Sequence, residues 1–598
     1  MQDANHPEKM RHSLSHIMAA AIQSLYPTTK FGIGPSIDQG FYYDIDLDGE
    51  TISETEFKKI EKKMREIVNK NLPVEQKTLS VDEALKWAKD ADQPYKVELI
   101  NDLVEAGEVK DEVSFYQIGD FLDLCCGPHL DETSEVGVFK LQKVAGAYWR
   151  GDEKREQMQR IYGVAFATQA ELDEYLIQQE EAKKRDHRKL GQELDLFTFS
   201  DLVGAGLPMY TPRGTILISE LKNILNEVGK KHGFLQVSIP HLAKIDLYEK
   251  SGHAQKFQDE LFRVISHYDQ EFVLKPVNCP HHTQIYASRP RSYRDLPLRY
   301  IEQTMQYRDE KPGAIGGLQR TRGFTVDDGH TFCRIDQIEH ETSLLIEIIR
   351  ELYTSLGLWG NHWVSWSVRD PRAPEKYIGD LADWDKSEEM LREEAEKYQL
   401  DAKRMEGEAA IYGPKIDFMF KDSLGRETQL ATVQLDFSMP KRFGLTYTDQ
   451  DGSEQTPVMI HRAIFGSFER FIMLLIEHFA GKFPVWLSPE QLRVICVNDS
   501  DEIVNHAKAI ERLAHEKDIR VSVDDSNNSV SKKIRTAESS KVPYSIVIGE
   551  KEVAGGKLSP RIRADLASEA NDKTYDTEQF LDTIAAEAKL RVVGRTTL

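Results

Sequence analysis

The first strong period along the chain is helical. In KMRHSLSHIMAAAIQSLY, residues 9–26, apolar positions recur every three to four residues, which predicts an amphipathic helix. GFYYDIDLDG (40–49) then alternates, and Asp48-Gly49 at its end predicts a hairpin turn. ETEFKKIEKKMREIVNK returns to a helical period with a heavily charged outer face. The first domain is expected to close near Gly163. Thr168 and Glu171 have capping-box spacing and open a long charged run to residue 196, read as a connector helix between domains. Between 197 and 488, helical stretches mix with strand-like runs such as FVLKPV, YIEQTMQY and ATVQLDFSM. After LSPEQLRVICVND the strands RVICV, RVSV and YSIVIG alternate with helices such as EIVNHAKAIERLAHEK, the pattern of a small α/β domain. The expected fold is a multidomain α+β protein.

Length fits this division, since 598 residues at about 150 per domain give three or four domains. Hydrophobic content of 40% and charged content of 29% belong to an ordinary globular chain. No apolar run approaches the ~18–20 residues of a membrane span. MQDANHPEKMRHSLSH has no apolar signal core, so a cytoplasmic location is expected. Five cysteines, Cys125, Cys126, Cys279, Cys333 and Cys496, are too few for a disulfide framework and are read as thiols. A formal net charge of −22 argues against a general nucleic-acid coat but leaves room for a specific nucleic-acid partner.

Candidate chemistry gathers at a few places. KPVNCPHHTQ sets Cys279 ahead of His281 and His282. This spacing suits two ligands of one metal, and equally a buried cysteine beside a helix start. RTRGFTVDDGHTF places Asp327, Asp328 and His330 at the end of a strand-like run, and PVMIHRAIFGSFERF places His461 just before a glycine and an arginine on an apolar helix. In HSLSH, His12 and His16 share one helix face, and DLCCGPH adds Asp123, Cys125 and His129. By residue type alone that set is also a plausible zinc site.

Three ordered segments carry a resemblance. YRDEKPGAIGGLQRTRGFTVDDGH resembles motif 2 of the class II aminoacyl-tRNA synthetases, HRAIFGSFER resembles motif 3, and GFLQVSIPHL with Pro240 resembles motif 1. NCP followed by histidine, DDGH and IHRA, together with AGAYWRGD, AKKRDHRKLG, SYRDLPLR and YGPKIDF, are similar to the bacterial threonyl-tRNA synthetases over essentially the whole chain. The resemblance implies a class II antiparallel catalytic core, an α+β editing domain and a C-terminal anticodon-binding domain. The expected boundaries are 1–165 for editing, 166–194 for the linker helix, 195–488 for catalysis and 489–598 for anticodon binding.

That family implies ATP-dependent attachment of L-threonine to tRNA(Thr) by a homodimer, with one Zn²⁺ per subunit and Mg²⁺ accompanying ATP. The implied zinc ligands are Cys279, His330 and His461. Asp328, Tyr412, Gln434 and Arg308 are the implied threonine-binding residues. Arg308, Glu310, Arg320, Phe324, Gln429 and Arg470 are expected at ATP, with Arg308 and Arg470 also catalytic, and His253 is expected to assist transfer to tRNA. In the N-terminal domain the family uses the set hydrolytically, without a required metal, to remove serine from tRNA(Thr). His12, His16, Cys125, His129, Asp123 and Lys96 are the implied editing residues, and Cys126 is read as packing. Asn527, Glu552 and Arg561 match anticodon-reading positions.

The chain departs from the family at several points. The small ubiquitin-like N-terminal domain is expected to be absent. His281 stands where relatives carry glycine, Val326 replaces a glutamine, Val277 a methionine and Leu430 a pocket cysteine. These changes leave two other functions open, a class II ligase for a different amino acid or a non-catalytic tRNA-binding relative. Cys279, Asp328, His330 and His461 argue against the first, and Arg308, Glu310 and Arg470 against the second.

Overall fold

The computed structural model describes residues 6–152, 154–256, 258–360, 362–422, 425–567 and 573–598. It divides into two compact units, Met1–Glu180 and Glu181–Leu598.

In the first unit, helix His6–Leu25 buries Leu14, Ile17, Met18 and Ile22 in the main core. Strand Gly40–Asp46 packs against this helix and lies between Lys30–Phe31 and Gln157–Phe166, with Val138–Tyr148 beyond. The turn at Asp48 and Gly49 is present, both with positive φ, but the hairpin expected there is not. The chain runs on into helix Phe57–Asn69, and Gly40–Asp46 finds its partners elsewhere in sequence. A second sheet is formed by Val74–Ser80, Glu112–Ile118 and Phe121–Leu124.

The connector begins as expected. Glu171 accepts from the Thr168 amide at 3.0 Å, and Thr168 Oγ1 accepts from the Glu171 amide at 3.3 Å. It is two helices rather than one, Gln169–Arg185 and His187–Glu193, because Asp186 leaves the helical conformation and caps the second.

The second unit is built on an eight-stranded sheet. At its centre strand Gly323–Cys333 lies between Leu298–Tyr307 and Val458–Ala463, and Glu427–Asp436 follows, all antiparallel. Asp327, Asp328 and His330 therefore sit inside a strand, not at its end. His461 is on a strand as well, and the apolar helix starts only at Phe468. The C-terminal part has parallel strands Val521–Asp524, Leu492–Cys496 and Tyr544–Ile548, with Arg561–Ile562 antiparallel at the edge. Among the described residues no helix is long and apolar enough to cross a membrane.

Candidate active site

Register assembles the first site. His330 pairs directly with His461, and His461 with Gln434, so three neighbouring strands present these side chains in one row. Cys279 comes from a different element, the start of helix Cys279–Ala287. Ligand atoms of Cys279, His330 and His461 all lie within 4.8 Å of one another, and all three residues are buried.

The surrounding hydrogen bonds fix where the ring protons go. His461 Nε2 lies 2.8 Å from Asp436 Oδ2. The other Asp436 oxygen accepts the amides of Ser438 and Met439, both at 2.8 Å. A carboxylate used as an acceptor leaves the proton of His461 on Nε2 and its Nδ1 bare. On the opposite side, His282 Nε2 lies 3.5 Å from Glu302 Oε2, and His282 Nδ1 lies 2.7 Å from His330 Nδ1. With His282 donating to Glu302, its Nδ1 must accept, so His330 carries its proton on Nδ1. His330 Nε2 and His461 Nδ1 are then two lone pairs facing each other 3.1 Å apart, beside a thiol. Two bare nitrogens in that position call for a cation, and an N₂S donor set suits zinc. Burial pushes the Cys279 thiol well up, with Asp328 and Asp436 adding to the shift. Burial likewise holds His330 well below the usual imidazole range.

These residues form one end of a cavity of about 310 Å³. Asp328 lines it, accepting from Asn278 Nδ2 at 2.9 Å, with Oδ1 3.7 Å from His330 Nε2. Burial raises its carboxyl. Tyr412 stacks on His461 with centroids 4.5 Å apart and donates to Gln434 Oε1 at 2.9 Å. His253 is buried, with Nδ1 2.8 Å from Ser251 Oγ and Nε2 3.9 Å from Cys279 Sγ. The other end of the cavity is cationic. The Arg308 guanidinium lies over the Phe324 ring at 5.4 Å. Arg470 Nε donates to the Gln319 carbonyl at 2.9 Å, and Arg320 Nε to Glu310 Oε2 at 2.7 Å. Gln429 donates to Asp417 at 2.8 Å and also lines the wall.

Val277, Val326 and Leu430 face this cavity. His281 does not. Its ring lies 6.2 Å from that of Tyr248, and burial lowers its pKa to about 4. His282, one residue further along the same helix, is the one that reaches the cluster, through His330.

The second cluster lies in the N-terminal unit. Ligand atoms of His12, His16, Cys125 and His129 fall within 4.8 Å of one another. His12 Nδ1 donates to the Pro128 carbonyl at 3.2 Å, which leaves Nε2 bare 3.4 Å from Cys125 Sγ. His129 Nε2 is 3.3 Å from the same sulfur, and its Nδ1 is 3.2 Å from Ser13 Oγ. Asp123 Oδ1 accepts from buried Lys96 Nζ at 2.5 Å, its other oxygen accepts from the Tyr43 hydroxyl, and it lies 3.6 Å from His16 Nδ1. Burial lowers His129 to about 2, holds His16 well below its usual range and pushes the Cys125 thiol up to about 12. The imidazoles are thus neutral near pH 7 and available as bases. Cys126, expected to pack, is exposed instead.

The proposed anticodon residues are less concentrated. Asn527 follows strand Val521–Asp524 and is exposed, and Glu552 follows Tyr544–Ile548 and accepts from the Gly549 amide at 2.9 Å. Arg561 pairs with Ser545, at the other end of that strand from Glu552.

Sequence reasoning missed the layer behind the clusters: Glu302 and Asp436 behind the paired histidines, and Tyr43 and Ser13 near His16 and His129. Alternation in GFYYDID and ATVQLD does set Tyr43 and Asp436 on inward faces, but nothing local names their partners.

Family models match at three places: the class II tRNA synthetase core domain (G, H, P, S and T) over 262–479, the threonyl and alanyl tRNA synthetase second additional domain over 113–162, and the anticodon binding domain over 491–587. The chain is 47% identical to a threonine–tRNA ligase of Gloeobacter violaceus, covering 94% of this chain and 90% of that one. It is 46% identical to a threonine–tRNA ligase of Cytophaga hutchinsonii, over 92% and 84%. The RNA binding domain of threonyl-tRNA synthetase from Cryptosporidium parvum superposes with a TM-score of 0.62 at 33% identity, covering 67% of this chain and 98% of that one.

Proposed function

The chain belongs to the threonine–tRNA ligase family of class II aminoacyl-tRNA synthetases, and from that premise we propose a reaction in which threonine is activated by ATP and passed to tRNA(Thr), with hydrolysis of seryl-tRNA(Thr) in the N-terminal domain. The observation that carries the synthetic half is the pair of inward lone pairs on His330 and His461, beside Cys279 and Asp328, in the same cavity as Arg308 and Arg470. Cys279, His330 and His461 would hold Zn²⁺, which supplies a Lewis-acid position for the amino and hydroxyl groups of threonine. Asp328 accepts from the threonine hydroxyl, and Tyr412 and Gln434 bound the same pocket. Valine lacks that hydroxyl and would leave these groups unpaired.

At the other end Arg308 bridges the threonine carboxylate and the α-phosphate, because its planar fork suits both anions. Arg470 holds the γ-phosphate, Glu310 accepts from the adenine amine, and Phe324 stacks on the ring. Arg320 and Gln429 add contacts to ATP. Mg²⁺ enters with the nucleotide to balance its charge. His253 takes the proton of the tRNA ribose hydroxyl in the second step.

Serine keeps the hydroxyl, and loss of one methyl gives only about 1–3 kcal/mol of discrimination. A separate hydrolytic site meets that need. There the neutral His12, His16 and His129 position and deprotonate water, Cys125 orients His12 and His129, and the Lys96–Asp123 pair fixes His16. Asn527, Glu552 and Arg561 contact the anticodon. We assign 1–165 to editing, 166–194 to the linker, 195–488 to catalysis and 489–598 to anticodon binding, in a cytoplasmic homodimer.

Amino-acid-dependent pyrophosphate exchange tests the reading. Exchange with threonine and not valine supports it. Preferential exchange with another amino acid makes the chain a different class II ligase, and no exchange makes it a non-catalytic relative.

A further inference from the structure

One buried histidine has no part in the chemistry above. His187 opens the short helix His187–Glu193 and is 3% exposed. Its Nδ1 lies 2.8 Å from Glu477 Oε1, and its Nε2 lies 3.2 Å from the amide nitrogen of Leu318. A carboxylate accepts and an amide nitrogen donates, so the ring is neutral, with its proton on Nδ1 and its lone pair on Nε2. The two partners belong to two different elements that each carry a cationic residue of the cavity. Glu477 is in the last turn of helix Phe468–His478, which begins with Arg470 in its first turn. Leu318 is buried in the loop between strands Leu298–Tyr307 and Gly323–Cys333.

That loop is closed by the Gly316 amide donating to the Arg320 carbonyl at 3.2 Å. It reaches the imidazole only because residue 317 is glycine. Gly317 has φ +52, and a Cβ there would come within 2.3 Å of His187 Nε2. One residue past Leu318, the Gln319 carbonyl accepts from Arg470 Nε, and the next residue is Arg320.

We propose that His187 is a positioning residue for the nucleotide. It ties loop 316–320 to the helix of Arg470, so that Arg320 and Arg470 are ordered before ATP arrives. Ordering a glycine-bearing loop costs conformational entropy, which otherwise falls on the binding step. The inference rests on the ATP placement proposed above.

Asparagine and glutamine separate the two ring nitrogens. In His187→Asn the amide nitrogen overlays Nδ1 and keeps the donor to Glu477, but leaves the Leu318 amide unpaired. In His187→Gln the amide oxygen overlays Nε2 and accepts from Leu318. In threonine-dependent pyrophosphate exchange by the full chain, His187→Asn should raise KM for ATP roughly tenfold, as expected if the loop opens to hydrate the unpaired Leu318 amide and must be re-ordered when ATP binds. KM for threonine and the melting temperature should stay near those of the wild type, and His187→Gln should recover most of the loss. Equal losses in the two variants, an equal rise in threonine KM, or an unchanged ATP KM would each overturn the proposal. Should His187→Asn fail to fold, Gly317→Ala approaches the same contact from the loop and must itself raise the ATP KM. Arg470→Ala separates this inference from the reading beneath it. If Arg470→Ala exchanges normally, the ATP placement is wrong. If Arg470→Ala loses exchange while the His187 and Gly317 variants behave as wild type, only the role of His187 is wrong.

Discussion

Behind the histidines of the C-terminal cluster stand two carboxylates, Glu302 and Asp436. Behind those of the N-terminal cluster stand a carbonyl, a hydroxyl and the Lys96–Asp123 pair. The front residues are nearly the same, cysteine and histidine in both. The carboxylates pin protons on the outer nitrogens and turn two lone pairs onto one point, which is the preparation a metal requires. In the N-terminal cluster the Asp123 carboxylate near His16 is already paired with the buried Lys96 ammonium and the Tyr43 hydroxyl, so it does not pin a proton on the imidazole as Asp436 does on His461. The difference teaches that, under the functions proposed above, the groups one layer out, and not the ligand types, separate the two clusters.

Substitutions break this comparison with graded force. His16→Ala should lower seryl-tRNA(Thr) deacylation by about 10²–10⁴-fold, the span of lost acid–base catalysis, while threonylation is unchanged. Unchanged deacylation would remove His16 from the editing site. Cys279→Ala should do the reverse, lowering threonine-dependent exchange by more than about a hundredfold with deacylation retained. Asp436→Asn leaves all three ligands in place but no longer fixes the His461 tautomer, and should weaken zinc retention by about 10–100-fold in a chelator competition. Retention equal to wild type would show that the carboxylate is not what aims the ring.

The smallest effect is on stability against pH, and its sign differs between the regions. Burial lowers His129 from 6.5 to about 2, so the neutral form is the folded one. That contribution is full above pH 6.5 and is lost as pH falls below it. Burial raises Glu469 from 4.5 to about 7, so its contribution is full below pH 4.5 and is lost as pH rises through 7. Thermal unfolding without added metal should therefore show less acid sensitivity in His129→Gln. Glu469→Gln should lose less stability between pH 5 and 8, by an amount of order 3 kcal/mol at most. Slopes that move in the same direction for both variants would contradict these assignments.

Much of the architecture was legible in the sequence. Strand alternation, the capping box at Thr168 and the β/α rhythm after 489 each follow from local periodicity and appear where expected. The grouping of Cys279, His330 and His461, whose ligand atoms the structure brings within 4.8 Å of one another, came from resemblance, since no local spacing joins residues from a helix start and two strands. The hairpin at Asp48-Gly49 was misread because turn chemistry fixes a reversal of the chain but not the strand that pairs next. His461 was misread as helical because an apolar run of that length suits either element.

The sequence by itself determined which residue types were available and on which face of each local element they would lie, because those faces follow from backbone periods of two and about 3.6 residues. Only the tertiary structure decided that His330 would stand opposite His461, that Glu302 and Asp436 would set their protons, that His281 would turn toward Tyr248, and that His187 would meet Leu318 and Glu477. Those outcomes depend on register between distant strands and on hydrogen bonds across hundreds of residues, and no local pattern encodes either.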